Sequence, residues 1–171
     1  MSFTIKDILR LEVRPALGCT EPVAVALASA AAASLLKDRD ITGIDVRVDP
    51  NVFKNGLAVI IPGTQGLRGL DLAAALGALG GDPEHRMQVL DTVTETMVDR
   101  ALRLIRDGSV RVFLEEDRSG LFINARLTTG TQQAEAVVQG AHDTITDLSL
   151  DGSACLDNPL LSTAQPAGGD V

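Results

Sequence analysis

Residues 12–36, EVRPALGCTEPVAVALASAAAASLL, decide the fold because they place a cysteine, a carboxylate and a proline ahead of an alanine-rich run. Proline is tolerated in the first turn of a helix, and Thr20 or Glu21, just before Pro22, can cap that turn. The sequence therefore predicts a helix that begins between Thr20 and Pro22 and continues to Leu36.

After Pro22 this predicted helix has no charged residue until Lys37. A surface helix has one polar face, so this one should be buried on all sides. Its small side chains let neighbouring backbones approach closely. The short helix predicted over residues 4–13 and one αβ unit would leave part of it uncovered. We therefore expect a second subunit, or another copy of the chain, to pack against it.

Length and composition limit the class of protein. The chain has 171 residues and 45% hydrophobic content, enough for a full core in one domain or one and a half. A net charge of −8 and only four aromatic residues, all Phe, argue against a nucleic-acid partner. The longest uncharged apolar run, Val23 to Leu36, is too short to span a bilayer, and the N-terminus does not resemble a signal peptide. We expect a cytoplasmic protein without membrane contact.

The rest of the sequence predicts an α+β fold. We expect a helical N-terminal arm over residues 1–38, an α+β domain with a mostly antiparallel sheet and two helices over 39–152, and a tail over 153–171, disordered at its end. Alternation or continuous apolar runs predict strands at residues 44–48, 57–61, 110–114, 121–127, 132–138 and 144–150. The strands at 110–114 and 121–127 should form an antiparallel hairpin across DRSG. One long helix should begin at Asp82 and end near Gly108.

Cys19 is the first candidate functional residue. It lies at the predicted helix N-terminus, where unpaired N–H groups and the helix dipole favour an anion such as a thiolate. The alternative is an inert, buried cysteine of the core. Neither Cys19 nor Cys155 belongs to a CxxC or Cys/His spacing, so the sequence predicts no metal ligands, and two cysteines fit a reducing compartment.

Glu12 is a second candidate. The apolar stripe of residues 5–9, continued by helical spacing, reaches Glu12 where a leucine would be expected. A carboxylate directed toward the interior needs a partner or a proton, which makes Glu12 a candidate for proton transfer near Cys19. Alternatively, Glu12 pairs with Arg14 at the edge of the core.

Two loops and one histidine complete the candidates. Residues 51–56, NVFKNG, offer Lys54, Asn55 and Gly56 as a grip for a small carboxylate, although Asn-Gly is also a common turn. Residues 62–69, PGTQGLRG, precede a helix and could hold an anion, but they lack the spacing of a nucleotide site. His142 suits proton transfer near neutral pH, yet a lone histidine before a strand is more often a surface residue.

Three separate motifs carry a resemblance to a known family. They are RPALGCTEP at residues 14–22, VFKNGLAVIIPGT at 52–64 and GLDLAAALGALGGDPE at 69–84. From about Ile8 to Leu150 the chain resembles the L-cysteine desulfidase family, which is related to the iron–sulfur L-serine dehydratases. Members of that family are longer, and the cysteines that hold their 4Fe–4S cluster lie in a C-terminal half without a counterpart here.

The resemblance implies a lyase that removes sulfide or water from a small amino acid by β-elimination and yields a 2-oxo acid and ammonia. The cluster would act as a Lewis acid. Cys19 would be a base or auxiliary ligand oriented by Thr20 and Glu21, with His142 as a further catalytic residue. The substrate carboxylate would be held by a set of residues from both loops, namely Lys54, Asn55, Gly56, Gly63 and Thr64.

The resemblance also implies partners. We expect the cluster ligands on a second subunit, so that this chain alone holds no cofactor and forms either a hetero-oligomer or a homo-oligomer. The alternative is a non-catalytic module, derived from the same family, that binds a small molecule or a protein.

Overall fold

The computed structural model describes residues 19–162, which form a layer of helices packed on a six-stranded sheet. The helices are α1 Thr20–Ala33, α2 Pro50–Gly56, α3 Leu70–Gly80, a 3-10 helix Pro83–Gln88 and α4 Glu95–Arg106. The strands are β1 Gly43–Val48, β2 Val110–Leu114, β3 Phe122–Thr128, β4 Gln133–Gln139, β5 Ile145–Leu150 and β6 Ser153–Ala154. Their order is β2-β1-β3-β4-β5-β6, and β1 with β2 is the parallel pair. The predicted α+β class is confirmed.

The alanine-rich helix α1 lies at the centre of the core. All its residues from Pro22 to Ala33 are buried, between α3 on one side and strands β3 and β4 on the other. The expectation that a second polypeptide must cover this helix is therefore wrong. The reason is that α3 is a second alanine-rich helix that lies against α1, and a Cβ added at Gly77 would be 2.2 Å from the carbonyl oxygen of Ala26.

The sheet has one buried and one polar face. Buried and more exposed residues alternate along β1 and β3, as predicted for half-buried strands. On the polar face Arg111 pairs with Asp45 at 2.8 Å, and Arg126 pairs with Glu135 at 2.9 Å. Exposed pairs of this kind contribute about 0–1 kcal/mol each, so the buried face supplies most of the stability.

The predicted hairpin between residues 110–114 and 121–127 is wrong. Strand β1 lies between β2 and β3, pairing with β2 in parallel and with β3 antiparallel. Parallel neighbours require a long crossover connection, and here helices α3 and α4 provide it between β1 and β2. Strand β1 thus separates the two strands that the local sequence pattern joined through a turn.

Two further elements differ from the prediction. Residues 57–61 do not form a buried strand, since Leu57 and Ile60 are 50% and 48% exposed and Ile60 makes an isolated bridge to Arg68. The long helix predicted from Asp82 is two helices, because Thr94 accepts a hydrogen bond from Met97 N and caps a new start.

Residues 153–162, which follow β5, pack on the rest of the domain. Ser153–Ala154 pairs with β5, Leu160 is 8% exposed, and Arg86 Nη2 donates to the Leu160 carbonyl at 2.8 Å. The expected disorder at the end of the tail concerns residues after 162, which lie outside the described part.

Helix α2 replaces the turn expected at NVFKNG, and Asp49 is the cause. The Asp49 side chain is 1% exposed, and its Oδ1 accepts from Asn51 N and Val52 N at 2.8 and 3.2 Å. Its Oδ2 accepts from Phe122 N at 2.8 Å, which fastens the start of α2 to β3. Asp49 followed by Pro50 is a helix-start signal of the same kind as Asp82 followed by Pro83.

Asp49→Ala is expected to lower the free energy of unfolding by about 2–4 kcal/mol, because it removes a helix cap and leaves a buried N–H without an acceptor. Urea denaturation measures this loss. Asp82→Ala is the matched control, since Asp82 caps the 3-10 helix through Glu84 N at an exposed position, and about 1 kcal/mol is expected. Equal losses in the two variants would contradict the role given to Asp49.

Candidate functional site

The N-terminus of α1 presents a free thiol. Cys19 occupies the N-cap position in an extended conformation, is exposed, and makes no capping hydrogen bond with its side chain. Beside it, Thr20 Oγ1 donates to Glu21 Oε2 at 3.2 Å. The alternative of an inert, buried cysteine is therefore wrong, and the sulfur is open to reagents and ligands.

Helix α2 brings a second predicted group to the same place. Asn55 Nδ2 donates to Glu21 Oε1 at 3.5 Å, the long limit of a hydrogen bond, although the two residues are 34 positions apart. Lys54, next to Asn55 on α2, is exposed. We call Cys19, Thr20, Glu21 and Asn55 the Cys19 cluster. In the cluster the Glu21 carboxylate is hydrogen-bonded to the Asn55 amide and to the Thr20 hydroxyl, next in sequence to the exposed Cys19 thiol.

His142 lies in the turn between β4 and β5. Gly140 N in that turn donates to Leu121 O, and Phe122 is tied to Asp49, so the turn is at the end of the sheet where α2 begins. Within residues 19–162 His142 has no hydrogen bond or ion pair with the Cys19 cluster. Glu12, the remaining candidate for proton transfer, lies outside the described residues.

Gly56 has a packing role in this structure. It ends α2 and is buried, and a Cβ added there would lie 2.2 Å from Leu70 Cδ2 at the start of α3. Leu70 itself is 1% exposed and has little room to move. Gly56 thus allows α2 to approach α3, which in turn places Lys54 and Asn55.

Gly63 and Thr64 line a different feature, a groove of about 400 Å³ between the loop after residue 61 and helix α4. The Thr64 hydroxyl donates to the Ile61 carbonyl at 2.6 Å, so it is occupied in holding the loop. The carboxylates of Glu95 and Asp99 also line the groove, whose lining includes no residue of the Cys19 cluster. A groove with these carboxylates favours a cation over the carboxylate predicted for this loop.

A larger cavity of about 740 Å³ lies near the end of α1, and sequence reasoning did not single it out. Arg39 lines it and donates through Nη2 to the Gly81 carbonyl at 3.2 Å, and burial lowers the pKa of Arg39. Exposed His85 follows Glu84, which also lines this cavity, and the pKa of His85 is raised because its ring nitrogen is hydrogen-bonded to Asp91. Neither feature contacts the Cys19 cluster in the described part of the chain.

The described residues do not suit a metal cluster by themselves. Between Cys19 and Ser162 no group of three or more His, Cys, Asp or Glu side chains could hold a metal ion. Cys155, the other cysteine, is half-buried, and its Sγ is 3.8 Å from the Ser153 carbonyl. The same residues include no helix that is long and apolar enough to cross a membrane.

The fold and site define an α+β domain with a small polar cluster at the start of a buried helix. No family model matches the chain. It is similar to curated proteins named UPF0597 protein: one from Desulfatibacillum aliphaticivorans is 58% identical over 153 residues, 89% of this chain and 35% of the relative. One from Desulfotalea psychrophila is 45% identical over 99% of this chain and 39% of the relative. One from Yersinia enterocolitica is 41% identical over 88% of this chain and 34% of the relative.

These comparisons correct the predicted family. The similar proteins bear the name UPF0597, and none of those described above is named a desulfidase or a dehydratase. The assignment to the L-cysteine desulfidase family is therefore wrong. The chain spans about a third of the length of the curated relatives it matches.

Proposed function

We propose that this chain supplies one wall of a shared active site for β-elimination from a small amino acid such as L-cysteine or L-serine. The products would be a 2-oxo acid, ammonia, and sulfide or water. The observation that supports this most is the meeting of the Cys19 cluster at one exposed point through the Asn55–Glu21 hydrogen bond.

The chemistry would begin with a base that removes the proton from Cα of the substrate, and we assign this role to Cys19, whose side chain is exposed. The electron pair of the broken C–H bond forms a double bond between Cα and Cβ. The β-substituent then leaves with the electron pair of its bond to Cβ. The enamine takes up a proton at Cβ and releases one from nitrogen to become an imine, which water hydrolyses to the 2-oxo acid and ammonia.

The neighbouring residues would bind and orient. The Lys54 ammonium and the Asn55 amide would bind the substrate carboxylate, because both are exposed donors on α2 and Asn55 is hydrogen-bonded to Glu21 of the Cys19 cluster. Glu21, held by Thr20 and Asn55, would orient the thiol and the substrate. His142 stays a prediction for a further proton transfer.

The other groups of the active site would lie on polypeptide that corresponds to the part of the relatives outside the shared region. The curated relatives are about three times as long as the region they share with this chain. A 4Fe–4S cluster, the cofactor expected for the complete enzyme, would take its ligands there. The roles given to Cys19, Glu21 and Asn55 do not depend on it.

Alkylation tests whether an amino acid occupies the Cys19 cluster. Saturating L-serine is expected to slow the reaction of Cys19 with iodoacetamide several-fold and leave Cys155 unchanged, as read by mass spectrometry of the two peptides in one sample. L-Serinamide, which lacks the carboxylate, should protect far less. Equal rates at Cys19 with and without L-serine would contradict the proposal.

A further inference from the structure

The groove beside α4 has an apolar floor and an acidic rim. We call its lining residues the acidic groove, and they are Gly63, Thr64, Gln65, Leu67, Glu95, Val98, Asp99 and Leu102. Leu67 is 37% exposed, and Val98 and Leu102 are only half-buried although they lie on the apolar side of α4. Apolar surface left open in this way is typical of a docking site.

Two further exposed apolar side chains lie in the loop that carries Leu67. Leu57 and Ile60 are 50% and 48% exposed and belong to the same segment as Leu67, which the Ile60–Arg68 bridge closes into one loop. Of the five large exposed hydrophobic residues among residues 19–162, these three lie in a stretch of eleven positions. The exposed apolar side chains are therefore concentrated here rather than scattered.

The charged residues that line the groove are all acidic. Glu95 and Asp99 are exposed, and Gln65 Nε2 donates to Glu95 Oε1 at 3.3 Å, whereas no Lys, Arg or His lines the groove in the described part of the chain. A partner segment should therefore carry Lys or Arg next to its apolar side chains. A second copy of this chain is disfavoured, since its net charge is −8.

We propose that the acidic groove, together with Leu57 and Ile60, docks the additional polypeptide that the UPF0597 relatives contain. The aligned region is 35% of the Desulfatibacillum relative, so nearly two-thirds of that protein lies outside it and is available to pack on this domain. The docking segment would present apolar side chains flanked by Lys or Arg. This proposal concerns assembly and does not rest on the proposed elimination reaction.

Co-expression tests the docking. The chain is expressed with the part of the Desulfatibacillum relative outside the aligned region, as a separate tagged polypeptide, and co-purification is measured. The wild-type pair is expected to co-purify in equal amounts. The double variant Leu67→Asp/Asp99→Lys should weaken the association at least about tenfold, because it puts a charge on the apolar floor and reverses the rim.

The matched control is Leu156→Asp/Asp157→Lys, which makes the same chemical changes at an exposed position after β6, where Leu156 is 81% exposed. It should co-purify like the wild type, and both variants should keep the wild-type circular dichroism. Failure of the wild-type pair to associate, equal retention of the groove variant, or a homodimer lost in that variant would each overturn the proposal. Co-purification needs no turnover, so its outcome is independent of the elimination reaction.

Discussion

Gly77→Ala is expected to lower the free energy of unfolding by at least about 2 kcal/mol, because an added methyl group cannot be accommodated between α1 and α3. The new Cβ would lie 2.2 Å from the Ala26 carbonyl oxygen and 2.8 Å from Ala26 C and Cα. These are backbone atoms in the buried part of α1, so α1 and α3 would have to separate. The urea midpoint, or failure to fold, measures the effect.

Helix propensity alone makes the opposite prediction, since alanine is favoured over glycine inside a helix by about 1 kcal/mol. A midpoint equal to or above that of the wild type would therefore show that α1 and α3 do not pack at Gly77. Gly130→Ala is the control, because a Cβ there would meet nothing within 4 Å. It should leave the midpoint unchanged.

The burial of α1 could be predicted from sequence because it follows from the composition of the helix alone. A run without charge from Val23 to Leu36 has no polar face, so its burial follows wherever it packs. What covers it could not be predicted, because the close approach depends on Gly77, about fifty residues later. The position of β1 between β2 and β3 could not be predicted either, because it depends on pairing with strands that are distant in sequence.

Helix α2 was missed although its start signal was in the sequence. Asp49 and Pro50 form a cap and first turn, but the preceding strand pattern favoured ending the element at Pro50. The second function of Asp49, its bond to Phe122 N, joins residues 73 positions apart and has no local signal.

The candidate site could be predicted in part. The residue types at Cys19, Glu21 and Asn55 indicated chemistry, and the structure joins Asn55 by a hydrogen bond to Glu21, two residues after Cys19. The loop with Gly63 and Thr64 was predicted to hold an anion from its glycines. Its neighbours Glu95 and Asp99 come from α4, some thirty residues further on, and they reverse the expected charge of the ligand.

Cys19→Ala is expected to reduce turnover at least about 100-fold, because it removes the proposed base while the amide and ammonium that bind the substrate remain. The assay uses the chain co-expressed with the rest of the Desulfatibacillum relative and follows 2-oxo acid formation from L-serine and from L-cysteine. The KM should change little. Cys155→Ala is the matched control, because Cys155 lies after β6 and is absent from the Cys19 cluster, and its turnover should equal that of the wild type.

The most direct test of a shared elimination site is this comparison of turnover between the wild-type pair and the pair with Cys19→Ala. We predict equal amounts of 2-oxo acid and ammonia from the wild-type pair and a loss of both in the Cys19 variant. Turnover that persists without the Cys19 thiol, or an assembled wild-type pair that forms no 2-oxo acid, would contradict the proposed function.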